Sequence, residues 1–180
     1  DQPALGISAC LLGENVRWDG NTKRNDYILG TLTRHFDFIP ICPEMAIGLG
    51  VPREPIRLVG PPASPRVLGV ETPSLDVTDA LATYGRKMAS QLDDIGGYIL
   101  KARSPSCGME RVLVHREQGG RPLKQGVGMY AGAFMAARPE VPMEEEDRLE
   151  DTVLRENFIA RVFTFARWQA VAARGMTPGT

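Results

Sequence analysis

Short apolar runs that end at turn residues alternate along the chain with stretches of helical spacing. Residues 4–9 read as a short buried strand ending at Cys10. Asp19-Gly20-Asn21 is a turn signal, and Tyr27, Ile28 and Leu32 fit a helix over residues 23–35. Residues 36–41 predict a second strand, which ends at Cys42. Gly48, Gly50, Pro52 and Pro55 mark an irregular loop, and residues 56–59 and 66–70 predict a hairpin around Pro61-Pro62. Leu81, Tyr84, Met88, Leu92 and Ile95 keep 3.6-residue spacing, with Thr78 or Asp79 placed to cap that helix and Gly96-Gly97 to end it. Residues 98–102 predict a third strand, followed by a loop that holds Cys107, and residues 112–114 a further strand. Val127, Tyr130, Ala131, Phe134 and Met135 predict an amphipathic helix opened by Gly126 and Gly128. A last helix is predicted over residues 144–173, with acidic first turns that suit the helix dipole, and residues 175–180 are linker-like.

Strands alternating with helices predict an α/β fold: a mostly parallel, Rossmann-like sheet flanked by helices. In such sheets ligands bind at the carboxyl ends of the strands. All three cysteines, Cys10, Cys42 and Cys107, fall at or just past such an end. They are therefore expected to meet at one rim of the sheet.

Composition narrows the picture. At 180 residues, 43% hydrophobic and 24% charged, the chain has the make-up of a globular domain and not of a disordered, collagenous or coiled-coil protein. No apolar run approaches the ~20 residues of a membrane span. An odd number of cysteines, with no basic-then-apolar leader, points to a reducing cytoplasm and away from a disulfide framework. The net charge of −1 is uneven: residues 1–139 hold 16 Lys and Arg against 14 Asp and Glu, residues 140–180 hold 5 against 8. A global nucleic-acid footprint is excluded. Basic residues do crowd locally, as Lys101, Arg103, Arg111, Arg116, Arg121 and Lys124 with His115 among them, interrupted by Glu110 and Glu117. This run reads as a solvated face first and as phosphate contacts second. The acidic segment 144–151 is expected to face away from the cysteine rim, where it would repel phosphate.

Taken singly, each cysteine reads as a small buried hydrophobe. As a set of three at strand ends they make a sulfur-only site, which selects zinc, copper(I) or an iron–sulfur cluster. Structural zinc would need a fourth ligand, His35 or His115, and neither has a ligand spacing. A four-iron cluster on three cysteines leaves one iron open to substrate. Glu44, two residues after Cys42, can deprotonate water or simply sit at a helix N-terminus. Ser104 and Ser106 can donate to a substrate or cap backbone groups. Gly48-Leu49-Gly50 is no dinucleotide fingerprint, because Arg53 stands at the third glycine, and there is no P-loop.

Ser8-Ala9-Cys10-Leu11-Leu12-Gly13 with Val16-Arg17-Trp18-Asp19-Gly20, Cys42-Pro43-Glu44 and Lys101-Ala102-Arg103-Ser104-Pro105-Ser106-Cys107-Gly108 together resemble the TudS family of thiouracil desulfidases. The resemblance spans about residues 5–140. It implies a [4Fe–4S] cluster held by Cys10, Cys42 and Cys107, with the thiocarbonyl sulfur of a thiolated uracil base or nucleoside on the open iron. Water then replaces sulfur without net redox change. It also implies that Glu44 handles the water proton and that Ser104, with Ser106 in reserve, donates to the substrate. Trp18 stands where relatives often have Tyr, and Arg17 and Asp19 are assigned to loop structure before substrate contact. Residues 154–163 resemble the junction in longer two-domain relatives, called RudS, which act on 4-thiouridine in tRNA. The expectation is a desulfidase domain over 1–142 and a helix and linker over 143–180, leading to a second domain that would carry tRNA affinity. The competing reading is a structural or RNA-binding module that carries a cluster or zinc without catalysis.

Overall fold

The computed structural model describes residues 2–175. Four strands, β1 (Ala4–Ser8), β2 (Asp37–Ile41), β5 (Gly97–Leu100) and β8 (Met143–Glu145), form a parallel sheet in the order β2-β1-β5-β8. The others, β3 (Ile56–Val59), β4 (Arg66–Gly69), β6 (Val112–His115) and β7 (Leu123–Gly126), form a second sheet in the order β4-β3-β6-β7. There β3 and β4 make the expected hairpin and β6 runs parallel to β3. The fold is thus α/β with a parallel central sheet flanked by helices.

Two-residue alternation divides the core between the faces of the first sheet. Leu5 and Ile7 of β1 and Ile99 of β5 pack with Ile28, Leu32, Phe36, Leu149, Phe158 and Val162. Tyr98 and Leu100 of β5 point the other way, into a larger cluster with Leu81, Tyr130 and Phe134 and with Leu58 and Val114 of the second sheet. Helices α3 (Thr78–Gln91) and α4 (Met129–Ala137) lie on that side, and α5 (Thr152–Ala173) covers the first. Gly6 is required where β1 passes Tyr98: a Cβ there would stand 2.9 Å from the ring.

Several elements depart from the expectation for identifiable reasons. The helix over 23–35 shrinks to α1 (Asp26–Gly30) and a 3-10 turn, Leu32–Arg34, because the chain is still extended at Asn25 (φ −112°, ψ 111°), where the Lys23 and Asn25 amides donate to the Cys10 and Leu11 carbonyls. Asn25 then caps α1 by accepting from the Ile28 amide. The start of α3 is held by Asp76, not by the side chains of Thr78 or Asp79: its Oδ1 accepts from the Thr78 amide and hydroxyl. The helix stops at Gln91, before Gly96-Gly97, where Arg138 donates to the carbonyls of Ala89 and Leu92. Gly126 belongs to β7, and Gly128 alone precedes α4.

The largest correction concerns residues 144–151. They do not begin a helix: Met143–Glu145 forms β8, Arg148–Glu150 a 3-10 turn, and α5 starts at Thr152 with Asp151 accepting from the amides of Val153 and Leu154. Glu144, Glu145 and Glu146 are buried. Arg148 holds Glu144, the Met109 amide donates to Glu145, and Lys101 holds Glu146. Of the linker-like run, residues 176–180 lie outside the described residues.

Candidate active site

The three neighbouring strands β2, β1 and β5 each deliver one cysteine past their carboxyl ends. Cys42 follows β2 directly and starts the short helix α2 (Pro43–Ala46). Cys10 lies in the 3-10 turn after β1, where its carbonyl accepts from the amides of Gly13 and Lys23 and from the Thr22 hydroxyl. Cys107 ends a tight loop after β5. That loop is seated on the start of α4, whose Met129 and Ala131 amides donate to the carbonyls of Pro105 and Ser106. Gly128 permits the seating, since a Cβ there would stand 2.6 Å from the Ser106 carbonyl oxygen.

All three cysteines line one cavity of about 360 Å³, together with Glu44, Ser104, Ser106, Arg17 and Trp18. Asp19 does not line it; its carboxylate accepts from the Asn21 amide, a loop role. Neither histidine lines it: His35 ends an exposed turn and His115 borders a separate groove. Among the described residues no three His, Cys, Asp or Glu side chains stand close enough to hold a single metal ion. A sulfur-only donor set spread around one cavity suits a multi-metal group with a ligand at each corner better than one zinc.

Burial raises the Cys10 thiol to about 11, against the charges of Lys101 and Arg17. It raises Cys107 to about 12, against hydrogen bonds from Ser8 and Ser106, and it also raises Cys42. Without metal these thiols are protonated at neutral pH, so binding a soft metal there releases protons.

Arg17, Lys23, Arg53, Lys101 and Arg103 also border the cavity, and Glu44 is its one carboxylate among the described residues. The ion pairs of two of these cations had no signal in periodicity or spacing. Arg53 pairs with Glu44 at 3.1 Å, both largely buried. Lys101 pairs with Glu146 at 2.7 Å, and Glu146 also accepts from the Ala102 amide. The acidic segment therefore does not face away from the rim: Glu146 braces its wall, and Asp147 pairs with Arg103, whose backbone is in the left-handed region at φ 61°.

The two serines divide their work. Ser104 is half-buried, and its oxygen accepts from the amides of Ser106 and Cys107, which caps the cysteine loop. Ser106 is 1% exposed and donates to Glu44 Oε2 at 2.8 Å, with the two serine oxygens 3.0 Å apart.

A parallel α/β sheet with a cysteine-lined cavity past its strand ends defines the class: an α/β domain with thiol donors gathered where ligands bind in such sheets. The chain belongs to the 2-thiouracil desulfurase family, whose pattern matches residues 5–146. It is similar to the solved structure of the [4Fe–4S]-dependent thiouracil desulfidase TudS, with a TM-score of 0.61 and 28% identity over 87% of this chain and 99% of that one. It is also 30% identical over 108 residues to the uncharacterized protein YbbK of Bacillus subtilis (strain 168), covering 57% of this chain and 71% of the relative. Among the described residues no helix is long and apolar enough to cross a membrane.

Proposed function

We propose that this chain removes sulfur from thiolated uracil at a [4Fe–4S] cluster held by Cys10, Cys42 and Cys107. The observation that carries this reading is the convergence of three thiols from adjacent parallel strands on one cavity that also holds Glu44. When bound, the cluster supplies a soft site for the thiocarbonyl sulfur and polarises the C–S bond. Glu44 accepts the proton of the attacking water. Ser104, at the cavity wall, donates to a heteroatom of the ring, and Ser106 orients the Glu44 carboxylate. Arg17 and Lys23, which border the cavity outside the ion pairs of its wall, favour the departing sulfide. The reaction balances as thiocarbonyl plus water giving carbonyl plus hydrogen sulfide, with no change in oxidation state.

The substrate extends beyond the base. A second groove of about 400 Å³ adjoins the cavity through Ile56, Arg103 and Pro105. Arg57, Arg103, Arg111, His115 and Lys124 line it without a carboxylate, and the Arg57 Nε is buried with no hydrogen-bond partner. This favours a substrate whose phosphate lies beside the base, such as 4-thiouridine within tRNA. Residues 1–142 would carry the cysteines, Glu44 and both serines, with β8 and α5 completing the same domain, and the enzyme would act in the cytoplasm.

Anaerobic reconstitution with iron and sulfide, followed by incubation with 4-thiouracil, tests the reading. Uracil should accumulate as the thiocarbonyl absorbance falls, and cluster-free protein should form none. A colourless, zinc-loaded protein that cannot take up iron would favour the structural reading instead.

A further inference from the structure

Arg53 lies in the loop between α2 and β3, and its side chain is only 6% exposed. Its guanidinium reaches three separate segments. Nε donates to Glu44 Oε1 at 3.1 Å, Nη1 to the Gly50 carbonyl at 2.8 Å, and Nη2 to the Val16 carbonyl at 2.8 Å. Its own amide donates to the Trp18 carbonyl at 2.8 Å. A side chain engaged on this scale is not free to hold a substrate anion. Arginine's rigid planar fork holds its acceptors in one fixed geometry, which the rotatable donors of an ammonium on a flexible stem do not impose.

The two oxygens of Glu44 are thereby distinguished. Oε1 is held by Arg53 and Oε2 by Ser106. Because Val16 and Trp18 are tied to the same arginine, the cavity wall carrying Trp18 is set in register with the carboxylate.

We propose that Arg53 is a positioning residue that aims Glu44 at the reacting water and aligns the Val16–Trp18 wall with it, an inference that rests on the desulfidase reading. Although Arg53 borders the cavity, its guanidinium is engaged by Glu44, Gly50 and Val16, so its effect on rate passes through Glu44.

The test is a double-mutant cycle of Arg53→Lys with Glu44→Gln on cluster-loaded protein, with amide exchange measured on the same samples. Arg53→Lys alone should lower kcat by about 10–10²-fold, the scale of an ångström-sized misplacement. KM and iron content should change little. In the Glu44→Gln background the same substitution should cost almost nothing, because the group it aims is gone. Exchange in the segment 16–21 should rise tenfold or more in Arg53→Lys. Arg53→Gln is the second variant, used if the lysine form does not fold, and must show the same dependence on Glu44. Additive losses in the cycle, or unchanged exchange in the segment, would overturn the proposal. Wild-type protein that forms no uracil would sink the desulfidase reading itself, and the exchange measurement would then decide the role of Arg53 alone.

Discussion

The Ser106 hydroxyl donates a 2.8 Å hydrogen bond to Glu44 Oε2 across 62 residues of sequence. This bond joins the cysteine loop after β5 to the helix after β2. Glu44→Gln should leave cluster content unchanged and slow desulfuration by about 10²–10⁴-fold, the span of a lost general base. Ser104→Ala should cost less, about two- to tenfold, since a neutral hydroxyl hydrogen bond is worth about 0.5–1.5 kcal/mol. Initial rates beside iron assays check both. Full activity in Glu44→Gln would assign the proton to another group.

Gly128 is where α4 meets the Cys107 loop, and a Cβ there would press on the Ser106 carbonyl and the Gly108 amide, at 2.6 and 2.7 Å. Gly128→Ala should therefore displace the loop and lower the iron bound per chain after reconstitution. A fully loaded Gly128→Ala protein would show that the loop tolerates the shift.

Asp76 anchors α3 and pairs with Arg66. Although partial burial opposes ionisation, hydrogen bonds from Thr78 and Arg66 hold its carboxyl below the usual range. A depressed folded-state value contributes stability above the unfolded pKa, and that contribution is lost as pH falls through the folded one. Asp76→Asn should lower Tm at pH 7, and the gap to wild type should close as pH drops below the ordinary carboxylate range. A gap that persists in acid would mean that shape, not charge, matters there.

The basic groove predicts a modest, salt-sensitive affinity for tRNA. The logarithm of affinity should fall with that of salt by at most about 0.9 per phosphate held, and the groove has room for few. Lys124→Ala should flatten the slope. A titration of thiolated tRNA at two salt concentrations measures it, and a steep slope in wild type would point to a more extensive RNA surface than this groove.

The cysteine rim was legible in sequence because apolar runs that stop abruptly at Cys10 and Cys42 carry both the strand and its end. Glu144, Glu145 and Glu146 carry a misleading pattern for a physical reason. Acidic residues ahead of an apolar helix look like a first helical turn. What makes Met143–Glu145 a strand is pairing with β5, with the charges met by Arg148, the Met109 amide and Lys101. Met109 and Lys101 lie 36 and 45 residues away, and Arg148, four residues after Glu144, has the spacing of a helical pair. Arg53 was hidden in the same way: in a loop rich in glycine and proline, nothing marks an arginine whose acceptors lie at Val16 and Glu44. The polar strand Leu123–Gly126 has no strand pattern of its own, since its place is set by β6.

The central claim is that water replaces sulfur at a site built on Cys10, Cys42 and Cys107. Its most direct test is anaerobic turnover of 4-thiouracil by cluster-loaded protein in ¹⁸O-water without reductant, with mass spectrometry of the uracil and assay of sulfide. The account predicts one ¹⁸O in each new uracil, one sulfide released per uracil, and no product when any one of the three cysteines is replaced by alanine. Unlabelled uracil, a requirement for added electrons, or undiminished turnover by a Cys10→Ala, Cys42→Ala or Cys107→Ala protein would contradict it.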